Sequence, residues 1–319
     1  MMNKPVIELK NVKVHFPVNK GFKKTYLRAV DGISFAVNKG ETVGLVGESG
    51  CGKSTLGKAV VGLYDINDGE ILFNGENIKN LKKQDKIKYR KNVQMVFQDP
   101  AASLNPRLKI IDIVMEPLLS NVKMTKQEKR GLALKMIETV GLPADAAERY
   151  PHEFSGGQQQ RIGIARSLVL SPEFIVCDEA VSALDVSVQA QILNLLKELK
   201  NKYSLTYLFI SHNLSVIKHM CDKIVVMYLG RAVEIGTAKQ IFENPLHPYT
   251  RALISAIPVA GKKERENRIV LTGDLPSPTD EITGCTFYNR CFECQDKCES
   301  FATELREAEE GHFVSCIKI

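Results

Sequence analysis

The chain has 319 residues and a formal net charge of +6, enough length for one full domain with an appendage. The charge excess is mild and diffuse, which describes a solvated surface and argues against a nucleic-acid footprint. No apolar run approaches the roughly 18 residues of a membrane helix. The opening MMNKPVIELK lacks the apolar stretch of a signal peptide, so a soluble cytoplasmic protein with reduced thiols is expected.

In chain order, VIELKNVKVHF (6–16) and LRAVDGISFAV (27–37) read as strands of an antiparallel sheet, with PVNKGFKKT as an insertion between them. TVGLV (42–46) is a short buried strand, and KSTLGKAVVGL follows it as a helix. VQMVF, FIVCD and LTYLFIS read as further core strands, with the amphipathic helix QAQILNLLKELKNKY before the last. The basic stretch KNLKKQDKIKYRKN (79–92) reads as a solvated helix, with contact to lipid headgroups as the competing reading. Residues 107–150 favour helix, are punctuated by Pro117 and Pro143, and form a helical insertion between core strands. The pattern changes after Gly230: ENPLHPYTRALISAIP carries three prolines, GKKEREN is a charged linker, and a cysteine-rich tail follows. The alternation predicts an α/β fold.

Gly47-Glu48-Ser49-Gly50-Cys51-Gly52-Lys53-Ser54-Thr55 follows a strand and opens a helix, which is the GxxxxGK[ST] phosphate-binding pattern in its required context. The glycines allow successive amides to turn inward around a phosphate at the positive end of the helix. Lys53 is expected on the β- and γ-phosphates and the Ser54 hydroxyl on Mg²⁺. FIVCDE (174–179) ends a buried strand in two acids. Asp178 is expected to hold the metal through water, and Glu179 to polarise a water for attack on the γ-phosphate. A helix cap is the alternative role for one of them.

Phe154-Ser155-Gly156-Gly157-Gln158-Gln159-Gln160-Arg161 offers a hydroxyl and bare amides at a helix start, a second anion site. Alone, SGGQ is also a helix-initiating turn. Between the P-loop and FIVCDE it resembles the signature motif of ABC-type ATPases, with Phe in place of the commoner Leu. That resemblance implies a RecA-like core with an antiparallel β subdomain and a helical subdomain at about 99–168. It also implies that two such subunits pair head to tail, each ATP lying between one P-loop and the partner's Ser155, Gly156, Gly157 and Gln158. In family order, Gln98 resembles the Q-loop glutamine that reaches Mg²⁺ or the attacking water. Asp185 resembles the D-loop aspartate facing the other subunit, and His212 in FISHN the switch histidine at the γ-phosphate. An aromatic ring that stacks on adenine is expected at Phe16, with Tyr26 as the alternative. A single cassette without membrane helices resembles a transporter's motor subunit acting on a separate permease at the cytoplasmic face of the membrane.

Five of eight cysteines lie in GCTFYNRCFECQDKCES and the following VSCIKI. In a reducing compartment they suggest metal or redox chemistry. Spacing alone leaves two readings open, a zinc site built on Cys291 and Cys294 or an iron–sulfur cluster. ENPLHPYTRALISAIP followed by GC-x-F-x-x-RC resembles the carboxy-terminal extension of ATP-binding subunits of dipeptide and oligopeptide importers. That resemblance implies a [4Fe–4S] cluster on Cys285, Cys291, Cys298 and Cys316, with Cys294 as a departure from the pattern and the cluster acting as a structural clip. It places an ATPase domain at 1–230 and the extension at 231–319, and makes an extracellular substrate-binding protein an indirect partner. Identical and paralogous ATPase partners both stay open, as do a nickel or other small-solute importer and a redox-sensing regulatory ATPase. Cys51, Cys177 and Cys221 read as ordinary filler and buried apolar residues.

Overall fold

A computed structural model describes residues 4–20, 23–257, 268–273, 276–277, 279–280, 282–300 and 304–319. In chain order, strands β1 (Ile7–Lys20), β2 (Lys23–Val37) and β3 (Thr42–Val46) lead into helix α1 (Lys53–Val60). Then come β4 (Asp68–Phe73), β5 (Glu76–Asn77), α2 (Lys83–Asn92), β6 (Val93–Val96), α3 (Pro100–Ser103), α4 (Ile110–Asn121), α5 (Lys126–Thr139) and α6 (Gly156–Leu168). Next are β7 (Phe174–Asp178), α7 (Val186–Tyr203), β8 (Thr206–Ile210), α8 (Leu214–Met220), β9 (Lys223–Tyr228) and β10 (Arg231–Thr237). The chain continues through α9 (Ala238–Glu243), α10 (Pro248–Ser255), β11 (Arg306–Glu309) and β12 (His312–Val314).

These elements form two compact units that interleave along the sequence. The first comprises the described residues of Met1–Ile7, Val37–Glu41 and Leu72–Ile210; the second, those of Glu8–Ala36, Thr42–Ile71 and Ser211–Ile319. In the first unit β6, β7 and β8 pair in parallel, with Val96 opposite Cys177 and Asp178 opposite Ile210. β7 and β8 are buried at every position, which is why they read as unbroken apolar runs and not as alternating ones. Helix α7 buries Ile192, Leu195, Leu196 and Leu199, the spacing of one helical face. Helix α4 packs against α5 and α6, and α5 starts at a capping box in which Thr125 and Glu128 satisfy each other's backbone amides. Helices α3 to α6 occupy the stretch expected to be helical. Helix α2 buries only Tyr89, as a solvated helix should.

In the second unit β3 pairs in parallel with β9, and β9, β10, β12 and β11 continue as antiparallel neighbours. One sequence expectation needs correction. The stretch PVNKGFKKT is not an insertion between strands: β1 runs on to Lys20 and β2 begins at Lys23. Polar residues at strand ends carry no apolar alternation, so pattern reading stops too early there. At Gly230, where the extension is expected to begin, the backbone runs on without a break. Leu229 and Gly230, both at positive φ (44° and 78°), make the two-residue turn of a β9–β10 hairpin. The sheet of the second unit then extends into residues 312–314. The charged linker GKKEREN lies outside the described residues.

Candidate functional site

The second unit carries the loop expected to cradle phosphate. β3 delivers the chain to Gly47 (φ 151°), and Gly52 (φ 99°), in left-handed backbone, caps α1. A Cβ at Gly47 would collide with the Met227 carbonyl, and one at Gly52 with the Ala29 carbonyl. Only glycine lets the loop pass this close to its neighbours. The buried Lys53 ammonium donates to the carbonyls of Gly47 and Glu48, both at 2.8 Å. Ser54 and Thr55 lie in the first turn of α1, the end at which the helix dipole favours an anion. Cys51 packs beside Lys53 with its thiol pushed up by burial, an inert filler. Ser49 and Gly50 are both exposed.

The outside of this loop is held by residues far away in sequence. The Gly230 amide donates to the Cys51 carbonyl (3.0 Å) and the Glu48 amide to the Tyr249 hydroxyl (2.8 Å). The Glu48 carboxylate accepts both arms of the Arg290 guanidinium, at 2.7 and 3.1 Å. His212 lies exposed in the short loop before α8, beside Asn213, which caps that helix. Phe16 is half-buried, with its ring edge-on to Tyr64 at 5.4 Å, whereas Tyr26 is exposed. Tyr64 went unnoticed in the sequence because it follows α1 in an irregular stretch with no motif around it.

The first unit carries the acidic residues. β7 ends in the buried Asp178, followed by Glu179 at φ 46°, a left-handed conformation uncommon for a residue other than glycine. The Glu179 amide donates to Ile210, and its carbonyl accepts from the amide and hydroxyl of Ser182. The exposed Gln98 donates its amide to the Glu179 carboxylate at 2.8 Å, so two of the expected site residues meet directly. Strained backbone of this kind costs about 1–3 kcal/mol and is concentrated at functional sites.

The signature stretch starts α6. Ser155 accepts from the Gln158 amide and Gln158 accepts from the Ser155 amide, a complete capping box. SGGQ therefore does serve as a helix start, and Ser155, Gly156 and Gln158 are exposed there. Phe154 is buried, with the Arg149 guanidinium stacked over its ring at 4.6 Å, a contact a leucine would not offer. Asp185 caps α7 by accepting from Val188 at 2.9 Å and Ser187 at 2.7 Å, which holds its carboxyl below the usual range.

In the tail, Cys285, Cys291, Cys298 and Cys316 line one open pocket of about 350 Å³, together with His247, Phe287 and neighbours. Burial pushes the Cys285 thiol up to about 11, and its three companion thiols add to that push. Cys294 is exposed and its thiol lies beside the Gln295 carbonyl. Among the described residues, no three His, Cys, Asp or Glu side chains are grouped as a single metal ion would need. Cys51, Cys177 and Cys221 are buried.

The family model for ABC transporters matches residues 30–182, and that for the oligopeptide/dipeptide transporter C-terminal region matches residues 233–298. The oligopeptide transport ATP-binding protein AppF of Bacillus subtilis is 50% identical over 317 residues, covering 98% of this chain and 96% of the relative. The chain belongs to the ABC transporter ATP-binding family. Within it, the dipeptide transport ATP-binding protein DppF of Haemophilus influenzae is 48% identical, with 99% and 98% of the two chains covered. Among solved structures, the dimeric ATP-binding cassette MJ0796 in a post-hydrolysis state with ADP and Pi aligns with a TM-score of 0.65 and 28% identity. That alignment covers 73% of this chain and 98% of MJ0796. This ABC protein is an ATPase whose hydrolysis is coupled to transport. Among its described residues, no helix is long and apolar enough to cross a membrane.

Proposed function

We propose that this ATPase is the nucleotide-binding subunit of an importer for oligopeptides or dipeptides. The observation that carries the reading is the pair of family matches, an ABC region over 30–182 and the oligopeptide/dipeptide C-terminal region over 233–298, on one chain. Two subunits, identical or paralogous, close on two ATP, as the dimeric state of MJ0796 suggests, and drive a separate permease from the cytoplasmic face of the membrane.

Each residue has a role consistent with its chemistry. The loop of residues 47–55, through its amides other than that of Glu48, which Tyr249 holds, and through the Lys53 ammonium, receives the phosphates, and Phe16 stacks on adenine. Ser54, Gln98 and Asp178 are the oxygen donors available to Mg²⁺, which neutralises phosphate charge when bound. Glu179 orients and polarises the attacking water, Gln98 holds its carboxylate in place, and His212 supports the γ-phosphate end. Ser155, Gly156, Gly157 and Gln158 meet the nucleotide of the other subunit, and Asp185 faces that subunit. The test is Glu179→Gln: hydrolysis should fall by at least about a hundredfold, while ATP holds the variant as a dimer in size-exclusion chromatography. Hydrolysis at the wild-type rate would remove Glu179 from this role.

The tail cysteines fit a [4Fe–4S] cluster better than zinc. Cys285, Cys291, Cys298 and Cys316 line one pocket and would hold the cluster, which calls for four thiolates. When bound, the cluster crosslinks a segment too small to hold itself by a core of its own. Cys294 stands outside this donor set.

A further inference from the structure

The cradle of an ATPase is usually described by what its inner surface offers to phosphate. Here the outer surface is equally well defined, and most of it is built by the C-terminal region. Glu48 follows Gly47 in the loop, and while its carbonyl accepts from the Lys53 ammonium, its amide and its carboxylate are both taken by residues of the C-terminal region. Its amide is fixed by the fully buried Tyr249 hydroxyl and its carboxylate by the two-armed contact with Arg290. Arg290 is itself only 9% exposed. It lies above the Tyr228 ring at 5.9 Å and reaches that hydroxyl at 3.4 Å.

Below this contact the rings of Tyr228, Tyr249 and Phe287 pack at centroid distances of 4.8 to 5.4 Å. Phe287 and Arg290 belong to the short turn between Cys285 and Cys291, and Tyr249 to α10. Every one of these partners except Tyr228 comes from the region matched as the oligopeptide/dipeptide C-terminal region. A two-armed arginine–carboxylate contact fixes orientation as well as distance. A fully exposed ion pair would not do this, but one whose arginine is nearly buried against an aromatic cluster does.

We propose that Arg290 and Tyr249 are positioning residues for the nucleotide: they hold the Glu48 peptide so that the amides of residues 47–52 stay in their phosphate-binding arrangement. The C-terminal region thereby sets ATP affinity. This rests on the reading of residues 47–55 as the phosphate site.

The experiment uses the full chain with ATP as the probe, measuring KM and kcat by steady-state hydrolysis and Kd by equilibrium dialysis. Arg290→Gln should raise KM and Kd roughly tenfold with kcat nearly kept, and Tyr249→Phe about threefold, the scale of a lost charged and a lost neutral hydrogen bond. Arg290→Lys, which keeps the charge but not the fork, should fall between Arg290→Gln and wild type. Because Arg290 acts through Glu48, the double variant Glu48→Gln/Arg290→Gln should be no worse than Arg290→Gln alone. Unchanged KM and Kd in both single variants, or strictly additive effects in the double variant, would overturn the proposal. So would a fall in thermal midpoint and active fraction with KM unchanged, the signature of a purely structural residue. Lys53→Ala separates the two layers of the inference. If it binds ATP like wild type, the phosphate-site reading fails; if it loses ATP while Arg290→Gln does not, only the positioning role fails.

Discussion

Single residues here often serve two purposes, and their geometry separates the two. Asp31 is a purely structural example. Its carboxylate accepts from Arg231 at 2.8 and 3.1 Å and meets His15 at 3.2 Å. Burial alone would raise its pKa, but the Arg231 guanidinium, aided by His15, outweighs this and holds the carboxyl below the usual range. A carboxyl depressed in the folded state adds stability above its unfolded pKa of about 4 and loses it as pH falls through the folded value. Asp31→Asn should therefore cost about 1 kcal/mol at pH 7 by urea denaturation, a figure trimmed because Arg231 is partly solvated. The gap to wild type should narrow below about pH 4; a gap unchanged at pH 3 would contradict this account. Glu179 and Asp185 differ in kind, since one is held in strained backbone and the other caps a helix while facing solvent.

At the scale of elements, the local signals in the sequence translate directly into helix and strand ends. The P-loop, the acidic end of β7 and the SGGQ start of α6 are legible because glycines, caps and short apolar runs act within a few residues of themselves. Packing between elements is less legible. Gly157 is the clearest case: a Cβ there would strike the Val188 side chain in the first turn of α7. The signature glycine is thus also what allows α6 to approach α7. Gly157→Ala should destabilise by about 1–3 kcal/mol through overpacking. Combining it with Val188→Ala, which restores the room, should recover most of that loss in thermal unfolding. Additive losses would mean that the strain lies elsewhere.

At the scale of the whole molecule, the sequence pattern suggested a catalytic domain ending near Gly230 and an appended tail. The backbone ties that C-terminal region in, because β10 and β12 join the sheet that contains β3, and Glu234 of β10 receives His312 at 2.8 Å with both side chains buried. Contacts spanning 242 and 201 residues, such as Arg290 and Tyr249 to Glu48, have no local signature and could not be read from spacing. Spacing alone left the ligand set open between zinc and iron–sulfur readings, and it was the resemblance to the importer extension that singled out the four pocket thiols and set Cys294 apart. Anaerobically purified chain should be brown with roughly four iron per chain. Cys294→Ser should keep that content and Cys285→Ser should lose most of it. Colourless protein with one zinc per chain would falsify the cluster assignment.

The distance between Glu48 and Arg290 along the chain also bears on biogenesis. At about 5–20 residues per second, a ribosome needs roughly 12–50 s to go from one to the other. During that interval the nascent P-loop has its glycines and its lysine but neither Tyr249 nor Arg290 behind it. If the loop depends on both, a half-made chain is a poor ATP binder, and competence to hold nucleotide arrives only when the C-terminal region has been translated and folded back.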